Sequence, residues 1–465
     1  MLGIAVYVAA QLGIGFAVSR GVKTEDDYLV AGRSLGPVLL TFTVFATWFG
    51  AESMVGAAGA VHERGLSGGS ADPFGYGICI LIMGLAFAIP LWRLRLTTLA
   101  DFFRLRFGVA TERLVVFLLL PSSVLWAAAQ IRAFGQVLAS ASGTEVDLAI
   151  AIAALVVILY TIVGGLLADA WTDLVQGSVL VVGLVVLAVN VLGDGGFEAL
   201  SSLPSGALNP LGEEGLSALA VAEEWAIPVI GGLVTTELIA RIIAARSGRV
   251  ARNGTVLAGF LYLAVGLIPV VLGLVGSVLI PDLEQAEQVL PALAEIYLPE
   301  ILYVVFVGAL VSAILSTVDS ALLVAAGLVS HNVILSLRPG LGERAKVIIA
   351  RAGVALFGLL AFVIATRAGT VYDLVEEASA FGSAGFVVVV TLGLFSVFGR
   401  QWTALTTLIV GEISWIAAAY MVPVPYPFLT SCAAALATYA VGSVLEGKVP
   451  KELRLRPIAP EPPPR

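Results

Sequence analysis

Residues 308–323 read GALVSAILSTVDSALL, an apolar run that carries Ser312, Ser316, Thr317, Asp319 and Ser320. On a helix, Ser312, Ser316, Asp319 and Ser320 recur at intervals of four, three and one and share one broad face, with Thr317 on its flank. Hydroxyls, backbone carbonyls and a carboxylate are hard ligands, suited to Na⁺ far better than to a soft metal. Serines that bond back to carbonyls of their own helix are the other account of such a pattern. Five polar residues together, one of them a carboxylate, exceed what that account covers alone.

A second stretch, VFATWFGAES (44–53), sets Trp48, Gly50 and Glu52 in the middle of another apolar run. A carboxylate within a membrane is a functional-site candidate by default. Glu52 could pair with a positive charge on a substrate, carry a coupling proton, or pair with Arg132. Trp48, Tyr76 and Trp126, with Gln130 one turn beyond the last, stand away from the interfacial belt where membrane Trp usually anchors. If they converge, they form an aromatic box attractive to cations. Asp173, just past a cytoplasmic turn, is either a charge at a helix N-terminus or a cation ligand.

These residues need elements that can hold them. The chain has 465 residues, 59% hydrophobic and 12% charged, against about 25% charged in an average soluble domain. Its mean hydropathy is +1.01. A soluble fold cannot hide that much apolar surface, so the solvent must be lipid. Period-two alternation is not visible, whereas long apolar blocks such as SVLVVGLVVLAVNVL (178–192) are. The fold class expected is an all-α polytopic membrane protein. Thirteen segments reach the roughly twenty residues a span requires: 2–19, 36–60, 73–92, 112–139, 146–164, 169–193, 224–244, 254–280, 300–330, 347–366, 372–398, 402–422 and 426–446. They make one transmembrane domain, 1–446, followed by a Pro-rich cytoplasmic tail, 447–465, expected to be disordered. Cys79 and Cys432 lie in apolar runs and give no disulfide framework, and His62 and His331 are far apart at helix ends. Neither zinc nor haem is expected, and the net charge of −8 speaks against a nucleic-acid partner.

All but Arg64, Arg132 and Arg367 of the 25 Lys and Arg fall on one side or its helix ends, among them Arg241 to Arg252. That bias places this side in the cytoplasm of a plasma membrane, with the N-terminus outside and the C-terminus inside. The first segment lacks a basic leader, and Arg20 and Lys23 follow it, which favours a retained helix over a cleaved signal. The opposite loops are acidic, with Glu213, Glu214, Glu223 and Glu224 in one and Asp282, Glu284 and Glu287 in another. Such loops hydrate the surface or draw cations to an entrance.

Spans two to six (36–193) and seven to eleven (224–398) are two sets of five. An odd number per set forces opposite orientation, the pattern of transporters built from inverted repeats. The first helix of each set has a weak point: Phe49-Gly50-Ala51 in one, and IGGLVTTEL, with Gly231-Gly232, Thr235, Thr236 and Glu237, in the other. Unwound backbone in a bilayer must line a cavity or bind something, and a carbonyl freed from its i+4 partner is a ready ligand for a small hard cation. Close helix packing through small residues is the alternative. Matching weak points in both halves favour the break.

Four pieces resemble the sodium:solute symporter family: DDYLVAGRSLGP (26–37), ATWFGAES (46–53), YTIVGGLLADAWTDLVQ (160–176) and SAILSTVDSALL (312–323). They span nearly the whole chain, in family order. The resemblance implies the 5+5 inverted-repeat fold of the bacterial leucine transporter, with one extra N-terminal and two extra C-terminal helices. It implies a principal sodium site on Ala46, Phe49, Ala313, Ser316 and Thr317. It implies a second sodium at Asp173, Ser316, Asp319 and Ser320, with Asp319 a departure from the serine of several members. Within the family the chain looks most like the high-affinity choline transporters, through ATW, the GY at 75–76, WAAA (126–129) and STVDS. That branch places three members of an aromatic box on Trp48, Tyr76 and Trp126. The fourth falls on Thr235, and Glu52 replaces a small residue. The expectation is therefore a Na⁺-coupled symporter for a small organic solute, a cationic or zwitterionic amine balanced by Glu52, and not an enzyme. A proton-coupled carrier using Glu52 or Asp319, and a non-transporting sensor or subunit, are the competing classes.

Overall fold

The computed structural model describes residues 2–211, 216–283, 285–338, 340–367, 371–380, 383–422 and 424–449. The expected tail from 450 onward, and Glu213, Glu214 and Glu284 of the acidic loops, lie outside the described residues. The rest is helical, and among the described residues strand pairing is confined to two isolated bridges.

The helices are α1 (Leu2–Ser19), α2 (Pro37–Trp48), α3 (Ala57–Arg64), α4 (Tyr76–Ile82), α5 (Ala88–Arg93), α6 (Val109–Ser142), α7 (Val146–Val191) and α8 (Ala218–Ile230). There follow α9 (Thr236–Ile243), α10 (Gly248–Leu279), α11 (Glu300–Gly327), α12 (Glu343–Ala365), α13 (Val371–Ala380), α14 (Ser383–Phe395), α15 (Gln401–Ile416) and α16 (Pro427–Glu446). Among the described residues, eight helical segments are long and apolar enough to cross a bilayer, or nine with the bent pair α8–α9. The thirteen expected segments all fall on helix, which is consistent with that count without fixing it.

Both expected breaks are present. After α2, Phe49 leaves helical geometry (φ −93°, ψ 68°), and the chain resumes as a π turn over Glu52–Gly56 before α3. Between α8 and α9 a 3₁₀ turn, Gly231–Val234, ends at extended Thr235, and the two arms differ in direction by 42°. The segments expected at 146–164 and 169–193 have no loop between them. They are one helical path, α7, turned at Gly165, whose φ of 66° and ψ of 174° suit glycine. A Cβ there would also lie 2.7 Å from the Tyr28 ring.

The interrupted helices meet at two levels. At one end the Leu35 N–H donates to the Ala244 carbonyl (3.2 Å), and the Arg246 N–H to the Leu35 carbonyl (3.0 Å). At the break, Gly232 leaves only enough room for the Trp48 indole, since a Cβ there would be 2.9 Å from it. Helix α11 is the central strut, packed along α7 and α6, and from Phe306 to Gly327 nearly every residue is buried. At its far end Asn332 donates to Asp101 (2.8 Å) and Glu112 (2.9 Å) and accepts from Thr98 (2.6 Å). Burial alone would raise the Asp101 carboxyl, but hydrogen bonds from His331, Thr98 and Thr97 hold it below its ordinary value.

One boundary needs correction. The tail was expected to begin at 447, yet 447–449 are folded. The Val449 N–H donates to the Val397 carbonyl (2.8 Å), and Gly447 accepts from the Gly399 N–H (3.2 Å). Arg106 closes the same corner by donating to the carbonyls of Gly393, Ser396, Phe398 and Gly399.

Candidate functional site

The break after α2 faces α11. The Ala46 carbonyl, on the last turn before the break, lies 2.8 Å from Ser316 Oγ, which is also 2.9 Å from the Ala313 carbonyl. Thr317 Oγ1 lies 3.1 Å from the same carbonyl. Ser316 has one hydroxyl proton for two carbonyl acceptors, so the two contacts must share it. Gly50, on the break itself, abuts this group: a Cβ would sit 2.8 Å from Thr317 Oγ1. The structure thus gathers Ala46, Ala313, Ser316 and Thr317, with Phe49 at the adjoining break. Ser316 and Thr317 are 0% and 2% exposed, which leaves a buried set of hard oxygens poor in protons. Back-bonding, the alternative account of the hydroxyls, occurs at all four: Ser312 and Ser320 donate to the carbonyls of Gly308 and Ser316, and Ser316 and Thr317 both donate to that of Ala313, so Ser316 stands out by its added contact across to Ala46. Ser312 departs from the group to meet the Tyr7 hydroxyl (2.6 Å).

One turn along α11, Ser320 meets Asp169 of α7, one turn before Asp173, around a residue counted above among the cytoplasmic-side charges. Arg241 of α9 is not in a loop. It is 0% exposed, and its guanidinium donates to Asp169 and Ser320 and lies 3.9 Å from Asp173. The Thr43 hydroxyl donates to Asp173 from α2. Asp169, Thr43 and Arg241 were all missed in the sequence reading. The position anticipated for a second cation therefore holds a cation that belongs to the chain.

Four of the six expected substrate residues are divided between two cavities, and Trp48 and Gln130 stand behind them. Trp48 and Tyr76 touch edge to face, with ring centroids 5.3 Å apart. Tyr76 and Glu52 line one cavity of about 100 Å³, together with Asp72, Ser70, Glu224 and Ser379. Trp126 and Thr235 line a smaller one of about 30 Å³ beside Glu237, and Ser379 borders both. Glu52 does not pair with Arg132, which donates to the Ala365 carbonyl (2.9 Å). Instead Gln130 straddles the break: its amide donates to Glu52 Oε2 (2.7 Å) and accepts from the Ala51 N–H (3.2 Å).

Asp72, also missed, sits behind the break. Its Oδ2 is 2.6 Å from Ser53 Oγ and 2.8 Å from the Tyr262 hydroxyl, both of which reach the Trp48 carbonyl at 3.1 and 3.2 Å. A carbonyl that lost its helical partner at the break is thereby supplied with donors. Asp72 was hidden because it precedes Pro73, where an apolar span was expected to start.

An all-helical bundle with two interrupted spans around a buried oxygen cluster is the architecture of a solute carrier. Residues 28–418 match the sodium:solute symporter family, and the chain belongs to that family. It is 28% identical to the high affinity choline transporter 1 of Homo sapiens over 76% of this chain and 64% of that protein. It is 26% identical to the sodium/pantothenate symporter of Haemophilus influenzae (90% and 89%) and 28% to the sodium/proline symporter of Salmonella typhimurium (88% and 86%). The chain thus spans less than two thirds of the length of the choline transporters it matches. Among solved structures, it superposes on a Na⁺-coupled sialic acid symporter in a substrate-bound outward-open state with a TM-score of 0.85. That match has 18% identity and covers 96% and 97% of the two chains. The nucleobase-cation-symport-1 transporter Mhp1, in a closed conformation, gives 0.64 at 16% identity over 90% and 95%. The named relatives are transporters rather than enzymes, and the structural matches carry the fold alone.

Proposed function

We propose that this protein is a Na⁺-coupled symporter that imports a small organic solute by alternating access. The observation that carries the reading is the buried oxygen group of Ala46, Ala313, Ser316 and Thr317 at the break, in which one serine proton serves two carbonyls. A small hard cation between those oxygens, with the Phe49 carbonyl as a further ligand, satisfies lone pairs that no proton reaches. Na⁺ held there ties α2 to α11 and favours the arrangement in which the solute cavity is formed. Glu52 and Tyr76 would receive the solute in the larger cavity, with Gln130 orienting Glu52 and Trp48 backing Tyr76, and Trp126 and Thr235 would border its continuation. The division into inverted sets 36–193 and 224–398, with the N-terminus outside and the C-terminus in the cytoplasm of the plasma membrane, belongs to this reading. It puts the inward potential behind Na⁺ entry, roughly 2.3 kcal/mol per charge per 100 mV.

We also propose one Na⁺ per cycle. A second ion at Asp173, Asp319 and Ser320 would share its ligands with the Arg241 guanidinium, and two cations there would repel. The test is solute uptake into proteoliposomes under an imposed Na⁺ gradient, with Na⁺ flux counted alongside. Uptake that ignores Na⁺ and follows an acidic exterior would point to proton coupling and sink the proposal.

Gly50→Ala provides a finer check. The added methyl would lie 2.7 Å from a Glu52 carboxylate oxygen and 2.8 Å from Thr317 Oγ1, so one of the two must shift. The expected result is a several-fold rise in the Na⁺ concentration needed for half-maximal thermal stabilisation. An unchanged midpoint would place the ion elsewhere.

A further inference from the structure

The larger cavity has a one-sided chemistry. Three carboxylates line it, those of Glu52, Asp72 and Glu224, and no Lys or Arg does. Glu224 is already engaged near the surface, with Ser70 (2.6 Å) and Arg64 (3.4 Å). The other two are each 6% exposed. Asp72 Oδ1 has no hydrogen-bond partner, and Glu52 Oε1 lacks a well-formed one. Buried acceptors of this kind cost free energy unless a donor reaches them. Two buried carboxyls beside one cavity offer acceptors to a donor, and a donor that is also positive would balance them once ionised.

The aromatic residues do not supply a competing site. The Tyr76 and Trp48 rings meet edge to face, the six-membered ring of the indole lies against Gly232, and Trp126 borders the other cavity. Recognition of a quaternary ammonium depends on several open aromatic faces. Here what is open is carboxylate lone pairs, which a quaternary ammonium cannot hydrogen-bond.

We infer that this cavity takes an organic cation bearing N–H donors, a protonated amine held by Glu52 and Asp72, in preference to its fully N-methylated counterpart. The inference rests on the transport reading for the identity of the cavity, and it makes Asp72 a binding residue. The Asp72 position is fixed in advance: Ser53 and Tyr262 hold Oδ2, which leaves Oδ1 for the ligand. A site built to hydrogen-bond an N–H rejects an analogue lacking it, because its own polar groups are then left unpaired.

The experiment is thermal stabilisation of the purified full chain by ethylamine, ethanolamine and putrescine, each titrated beside its permethylated counterpart. At least one amine is expected to act at a concentration tenfold or more below its counterpart. Asp72→Asn retains the shape and the acceptor for Ser53 and Tyr262, and should raise the half-effective amine concentration tenfold or more. Glu52→Gln should do the same. Equal or better stabilisation by the permethylated compounds overturns the inference, as does no response to any amine. Amine binding untouched in both variants overturns it as well. The native-protein panel decides the matter even if a variant fails to fold. A Na⁺ titration of the native protein, run separately, bears on the transport reading, so the two can fail independently.

Discussion

Thr317→Ala and Ser316→Ala should each raise the Na⁺ concentration for half-maximal uptake about ten- to a hundredfold. Each substitution removes one hydroxyl from a buried oxygen group in which water cannot readily take its place. A hydrogen-bond-scale contact to a charged partner is worth about 1.5–3 kcal/mol, and each 1.4 kcal/mol is roughly tenfold in affinity. Thr317→Ser keeps the hydroxyl and should remain within about twofold of the native protein. The reading is a Na⁺ titration of uptake at fixed solute, with a melting-temperature titration as a check on folding. A Thr317→Ala protein with native Na⁺ affinity would remove the ion from this locus and leave the buried serine and threonine as helix back-bonders.

The second large effect concerns Arg241. Arg241→Met roughly preserves volume and leaves Asp169, Asp173 and Asp319 buried without their guanidinium. Breaking a buried ion pair from one side typically costs about 3–5 kcal/mol, so the variant should melt well below the native protein. If the guanidinium occupies a cation position, Na⁺ should recover part of that loss. The Na⁺ dependence of stability should then become steeper, with a Hill coefficient that rises from one toward two. A variant that melts like the native protein, with an unchanged Na⁺ dependence, would show that Arg241 is not the counter-charge of this cluster.

The parts of this arrangement that were legible in the sequence follow local rules. Helical spacing alone put Ser316 and Thr317 on a common side of α11. Glycine beside Thr and Glu marked both interruptions, single at Gly50 and paired at Gly231-Gly232, and its recurrence in both halves favoured a break over close packing. The parts that were not legible depend on where a path turns. Arg241 closes the expected segment 224–244 and precedes three further arginines, so by composition it reads as a charge at the cytoplasmic end of a span. Only the inward tilt of α9 past extended Thr235 takes it to Asp169. Asp169 itself sat on a presumed cytoplasmic turn, because a bend at a single glycine within continuous helix has no signature distinct from a loop. Asp72 was read as part of a connection, and its bonds to Tyr262 cross nearly two hundred positions. The aromatic box was named by likeness to relatives, and likeness did not report that Tyr76 and Trp126 border different cavities.

The indole of Trp48 seated on Gly232 has a mechanical meaning. No atom larger than hydrogen fits between ring and backbone, so the two unwound stretches behave as one knuckle rather than as separate pivots. A tilt that carries Trp48 toward Gly232 would therefore load the second break. A methyl group at position 232 would meet the indole at 2.9 Å and wedge that knuckle apart.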